Sequence, residues 1–165
     1  MPLSQTQLAA LAAATAAAVF CERDCGLPAE LTVAQWADES GWGAHQPGNN
    51  CFGIKAEHGQ NLQTTEYKHG SEMPSPEEDT FEVFPDLEAC FDRHAQLITT
   101  YRPYLPAWSQ FLKDKKLGPF IERVAKAYAT DPVYALKLKK ILAMPEVVNA
   151  LRDARRPLIN IAPAS

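Results

Sequence analysis

Apolar residues recur at helical spacing over most of this chain, and the interruptions gather in one early stretch. Leu8, Leu11 and Val19 fall with Ala12 and Thr15 on one helical face. Ser4, three residues before Gln7, has the spacing of a capping box that would open this helix. Gly26-Leu27-Pro28 reads as a C-terminal glycine followed by proline at a new helix start, predicting a second helix over 28–40 that Gly41 and Gly43 end. Residues 41–80 hold most of the turn formers: Pro47-Gly48-Asn49-Asn50, His58-Gly59, His69-Gly70 and Pro74-Ser75-Pro76. Between them, 62–68 and 80–84 carry strand patterning. Past Pro85 the period is helical again, with Leu87, Cys90, Phe91, His94, Leu97 and Ile98 in step. The stretch 101–108 holds two prolines and reads as a broken connection. Helices are predicted over 117–129, 132–143 and 145–156, before a proline-containing tail. The pattern predicts an α+β, mainly α domain: a helical body with a small β-hairpin lobe inserted early, and a cleft between the two as the natural place for a ligand.

Composition narrows this picture. The 165 residues, 46% hydrophobic and 22% charged, suit one domain, 1–165, that can build its own core without a disulfide framework or a structural metal. Sixteen Lys plus Arg against twenty Asp plus Glu leave a net charge of −4. Local basic clustering, as at Lys113, Lys115 and Lys116, stays small, which argues against nucleic acid as a partner. A uniformly apolar run long enough to span a membrane is missing. Residues 8–20 have the length of a signal-peptide core, but no Lys or Arg precedes Arg23, and the one-sided apolar pattern favours an amphipathic first helix. Cys21, Cys25, Cys51 and Cys90 include no C-x-x-C pair, and His45, His58, His69 and His94 have no metal-binding spacing. They read as structural thiols and ordinary surface or core histidines, so no metal site is expected.

The segment Ala34-Gln35-Trp36-Ala37-Asp38-Glu39-Ser40-Gly41-Trp42-Gly43 is the most informative. A carboxylate at a helix C-terminus sits at the negative end of the helix dipole, which disfavours its ionised form. Burial against Trp36 or Trp42 would act in the same direction. An acid still protonated near neutral pH is what glycoside hydrolysis needs. Spacing alone, however, favours a solvated glutamate at a helix end, and Trp42 alone suits packing better than a sugar platform.

Glu39-Ser40-Gly41-Trp42-Gly43 followed by Gly48-Asn49-Asn50-Cys51-Phe52-Gly53-Ile54-Lys55 resembles the paired motif of family 73 glycoside hydrolases, the bacterial β-N-acetylglucosaminidases of autolysins, flagellar peptidoglycan hydrolases and phage lysins. Thr64-Thr65-Glu66-Tyr67 resembles the hairpin motif of that family. Residues 81–84 with 87–94 resemble its strand-to-helix entry, and Tyr128-Ala129-Thr130-Asp131-Pro132-Val133-Tyr134-Ala135 its late tyrosine motif. The similarity covers about 4–143, with 144–165 left as a C-terminal helix and tail. The sequence departs from the pattern at Asp38, where an aliphatic residue is usual, and at Cys51, which replaces a larger apolar one. Asp38, about 100° round the helix from Glu39, is expected to face elsewhere.

The resemblance implies a lysozyme-like fold and cleavage of the β-1,4 bond after N-acetylglucosamine in peptidoglycan, without metal or organic cofactor. It makes Glu39 the general acid, Glu66 the candidate second carboxylate and Tyr128 a cleft tyrosine supporting substrate. It places Trp42, Asn50, Phe52 and Tyr134 on the substrate-binding side. A muramidase or lytic transglycosylase would use the same fold and acid, and a non-catalytic glycan-binding module remains a different class of reading. The expected partner is the peptidoglycan glycan strand, bound by a monomer acting in the bacterial cell wall or periplasm. With no evident signal peptide, delivery would fall to lysis through a holin, a phage tail or a secretion system, the last accompanied by an immunity protein.

Overall fold

The computed structural model describes residues 2–56, 63–66 and 77–156. Helix α1 spans Gln5–Cys25. Ser4 caps it through the expected box: its Oγ accepts from the Gln7 N–H, and its own N–H donates to the Gln7 side chain. Leu11 and Thr15 face inward as predicted, whereas Ala12 is exposed and Ala14, Ala17 and Ala18 take the inner face instead. Small side chains there let neighbouring helices approach closely.

Helix α2, Ala29–Glu39, is buried at Ala29 and from Leu31 to Ala37, with Glu30 partly exposed. Ala29, Val33, Trp36 and Ala37 join one apolar cluster with α1, the 51–54 segment, Phe84, α3 (Leu87–Thr100) and α7 (Pro145–Arg155). Leu31 and Ala34 join a second cluster with α3, α4 (Leu105–Asp114), α5 (Leu117–Tyr128) and α6 (Tyr134–Leu142). A helix apolar all round belongs in a core. Apart from the half-buried Glu30 near its start, only Asp38 and Glu39, at its C-terminal end, come out into solvent. Burial thus makes α2 a rigid post with a carboxylate at its tip.

Two strands, β1 (Gln63–Glu66) and β2 (Glu77–Thr80), pair antiparallel with Gln63 opposite Thr80 and Glu66 opposite Glu77. The second strand thus lies earlier than the predicted 80–84. From Phe81 onward the backbone turns to a different partner: Phe81 bridges Lys55, the Glu82 N–H donates to Ile54 O, and the Phe84 N–H donates to Gly48 O. Burial of Phe84 fixes that choice. The residues that join β1 to β2 lie outside the described ones, as do His58 and His69.

Helix α4 also corrects the expected broken connection at 101–108. Pro106 occupies its first turn, where proline removes no intrahelical hydrogen bond, and Ala107 and Phe111 bury its inner face. The C-terminal helix α7 closes the bundle. Val147 and Leu151 enter the first cluster, and the Arg155 guanidinium forks onto Glu22 of α1 and Glu30 of α2 at 2.6–3.1 Å.

All four cysteines are free thiols. They nevertheless sit in pairs, Cys21 Sγ at 3.8 Å from Cys25 Sγ, and the Cys51 N–H donating to Cys90 Sγ at 3.4 Å. Cys51 is buried, as a small apolar replacement should be. Since the helical core forms without a covalent link, the melting temperature is expected to change by less than about 5 °C on adding reductant, the equivalent of about 1–2 kcal/mol at this size. A larger drop in a thermal scan would show an essential disulfide.

Candidate active site

The end of α2 is shaped by the residues that follow Glu39. The Ser40 hydroxyl donates to Trp36 O at 2.6 Å and accepts from the Gly43 N–H at 2.8 Å, while the Trp42 N–H returns to Ala37 O. Gly41, Trp42 and Gly43 all take positive φ. At Gly43 a Cβ would lie 3.1 Å from Ala10 Cβ and 3.2 Å from Trp36 Cζ2, so this glycine admits the close approach of α1 as well as the turn. The turn stops the helix immediately past Glu39 and leaves its carboxylate at the surface of a cleft.

That cleft encloses about 470 Å³ and is lined by Glu39, Phe52, Gly53, Ile54, Leu97, Tyr101, Tyr104 and Tyr128. Lys55 and Arg93 also line it, Arg93 pairing with Glu82 at 3.0 Å. The outer face of Glu39 is open. Its inner face is packed against protein, and this partial desolvation is the largest influence on its carboxyl, raising the pKa above the usual carboxylate range. The hydroxyl of Tyr134, donating to Glu39 Oε1 at 2.8 Å, opposes the rise; the charge of Asp38 adds to it and Lys137 subtracts. Asp38 is exposed and outside the cleft lining, so it acts on Glu39 only through its charge, as its place on the helix implies.

The second motif builds the wall. Asn50 is buried, and its amide donates to Ile54 O and Glu82 O while its carbonyl accepts from the Phe52 and Ile54 N–H groups. Its polar atoms are spent on backbone, so it forms the turn instead of reaching a ligand. Phe52 lines the cleft, and its ring stacks on His94 with centroids 4.1 Å apart. Tyr128 donates its hydroxyl to Phe52 O at 3.2 Å and stacks parallel to Tyr134 at 5.7 Å.

The structure therefore brings Glu39, Phe52, Tyr128 and Tyr134 together. Tyr134 is only 3% exposed and holds Glu39 instead of facing the cleft. Trp42 is apart from the cleft lining, edge-on to Trp36 at 6.3 Å and packed on the first core cluster. The aromatic surface beside the acid is thus tyrosine and phenylalanine, and the indoles belong to the turn. Glu66 ends β1 opposite Glu77, and its side chain lies outside the described residues. Sequence reasoning missed Gln35, one helical turn before Glu39, which donates to Tyr134 Oη at 3.3 Å and meets His94 Nε2 at 2.9 Å. A fully buried glutamine in an apolar helix was the signal.

The family model described as Glucosaminidase, mannosyl-glycoprotein endo-beta-N-acetylglucosaminidase, matches residues 15–146. The chain belongs to the glucosaminidase family. This glucosaminidase domain is 32% identical over 170 residues to the peptidoglycan hydrolase FlgJ of Salmonella typhimurium, covering 93% of the chain and 52% of that relative. The FlgJ of Vibrio cholerae is 28% identical over 141 residues, which cover 79% of the chain and 41% of the relative. The chain thus spans about half the length of the curated relatives it matches. Among solved structures, the C-terminally truncated glycoside hydrolase domain of Salmonella typhimurium FlgJ superposes with a TM-score of 0.64 at 28% identity, covering 82% of this chain and 95% of that one. The catalytic domain of the Listeria monocytogenes autolysin Auto gives 0.69 at 20% identity, covering 92% and 89%. The second likeness is one of fold, and the mainly helical lysozyme-like architecture of the glucosaminidase domain is shared with both.

Proposed function

We propose that the domain hydrolyses the β-1,4 bond after N-acetylglucosamine in peptidoglycan glycan strands, with Glu39 as general acid. What supports this most is the position of Glu39: on a buried helix, at the floor of an aromatic cleft, partly desolvated and held by one tyrosine, in a chain of the glucosaminidase family. The ring of Tyr128 offers a flat apolar face to a pyranose, and Glu39 protonates the leaving oxygen as an oxocarbenium-like centre develops. The β1–β2 hairpin forms a small lobe over the cleft and supplies Glu66 as the second carboxylate. The site of action is the bacterial cell wall, reached by a monomer through a delivery partner such as a phage tail or secretion system. The test is digestion of purified peptidoglycan followed by mass spectrometry of the fragments. Reducing N-acetylglucosamine ends are expected. Reducing muramic acid ends would make it a muramidase, anhydromuramic ends a lytic transglycosylase, and undigested wall a binding module.

A further inference from the structure

Four side chains on three helices form a single hydrogen-bonded chain that ends on the acid: His94 of α3, Gln35 of α2, Tyr134 of α6 and Glu39 at the tip of α2. Its direction follows from what each atom can do. His94 is 1% exposed, and burial keeps its ring neutral at ordinary pH, pushing its pKa down to about 3. Its Nδ1 has no hydrogen-bond partner among the described residues, so a proton there would be buried without an acceptor. The single ring proton therefore belongs on Nε2, where it needs an acceptor, and Gln35 Oε1 stands 2.9 Å away. That fixes the Gln35 amide with its NH₂ toward Tyr134. The Tyr134 oxygen accepts from it, and burial keeps the phenol protonated. The one phenolic proton is left to donate to Glu39 Oε1.

We propose that this one-way donor chain decides which oxygen of Glu39 carries the catalytic proton: Oε1 always faces a donor, so the acidic proton is held on Oε2, and His94 and Gln35 are positioning residues for the acid. The inference rests on the reading of Glu39 as general acid. In the transfer, the proton leaves Oε2 for the glycosidic oxygen, the C–O bond to the leaving sugar breaks, and Glu39 becomes a carboxylate to which Tyr134 still donates. Were the Gln35 amide reversed, Tyr134 would donate to Gln35 Oε1 and accept from Glu39. The protonated form of Glu39 would then gain a bond, and its proton would be held on Oε1, away from the substrate.

The experiment is a carboxyl carbon-13 NMR titration of the full chain, with the Glu39 signal identified by its absence in Glu39→Gln, alongside the pH profile of peptidoglycan hydrolysis. His94→Phe removes the donor that orients Gln35. It should raise the Glu39 pKa by about one unit, move the alkaline limb of the profile up by the same amount and lower turnover about tenfold. His94→Gln, which restores an N–H near the old Nε2, should bring the pKa back. The double variant His94→Phe with Gln35→Met should also return it toward wild type, because Tyr134 then has no acceptor except Glu39. The other charged and titratable groups around Glu39 are Asp38 on its own helix, Lys137 on α6 with its partner Asp131, Tyr128 on α5, and Lys55 and Arg93 in the same cleft lining; all are the same in every variant. A structural role for His94 would leave the double variant at least as perturbed as the single, and that result overturns the proposal. So does an unmoved pKa in a folded His94→Phe. Should His94→Phe not fold, nitrogen-15 shifts of the wild-type imidazole decide: a proton on Nε2 is required, and one on Nδ1 overturns the chain. An active Glu39→Gln would remove the acid reading itself, whereas the NMR result speaks to the donor chain whether or not the enzyme turns over.

Discussion

Glu39→Gln is expected to lower peptidoglycan hydrolysis at least about a thousandfold while the fold stays intact. A general acid acts directly on the leaving group, and an amide of the same shape has no proton acidic enough to replace it. The shape itself is preserved, because Tyr134 can still donate to the amide oxygen at the same place. The stability side has a definite sign. Glu39 has its carboxyl raised in the folded state, chiefly by desolvation, so whatever stability it adds is present below its unfolded pKa and lost as pH rises through the folded one. At neutral pH the wild-type carboxylate is therefore the less comfortable side chain, and the melting temperature of Glu39→Gln should equal or slightly exceed the wild type. The same raised pKa sets the alkaline limb of activity, which should fall as pH climbs through it. A variant keeping more than about a tenth of wild-type turnover would take Glu39 out of the acid role.

How legible this site was depended on the range of the interaction that places each residue. Glu39 could be read because its placement is local: a helical period, a terminal serine, and glycines that only a left-handed turn requires. The capping box and the glycine-proline boundary at 26–28 were legible for the same reason. Tyr134 and Tyr128 lie six residues apart, yet one grips the acid and the other forms the wall, a division made by α2 and the 51–54 segment far away in sequence. For Trp42 the residue-level reading, packing, was the right one; the family resemblance put it on the substrate side, whereas it sits edge-on to Trp36 and packs on the first core cluster. Helix α4 was hidden by prolines that break a pattern but not a first turn, and β2 by an apolar run, 81–84, whose partner is the 48–55 segment. Gln35 and His94 were visible as polar residues inside apolar stripes. Only the fold shows that each satisfies the other.

Glu66→Gln should lower turnover by about 10²–10⁴, the range for a lost general base. The backbone gives this prediction a geometric content. Gln63 pairs with Thr80, Thr80 is followed by Phe81, and Phe81 bridges Lys55 on the cleft wall, so the sheet is anchored to the cleft at that end. Glu66 stands three positions along β1, about 10 Å of strand away from the anchored end. For a carboxylate there to serve the reaction, its strand has to close over a bound glycan, and an inverting water needs about 6.5–9.5 Å between the two carboxyl groups. A base recruited by closure contributes to turnover more than to the resting fold, so the melting temperature should shift by less than about 2 °C, the equivalent of about 0.5–1 kcal/mol at this size. If the acetamido group of the substrate is the nucleophile, Glu66 only orients it and the loss is smaller. Azide added to Glu66→Ala separates these cases, since an external anion restores rate where a base or nucleophile is missing and does nothing for a lost orienting contact. Wild-type activity in both variants would remove Glu66 from the chemistry and move the search for the second carboxylate to Glu57, Glu72 and Asp79.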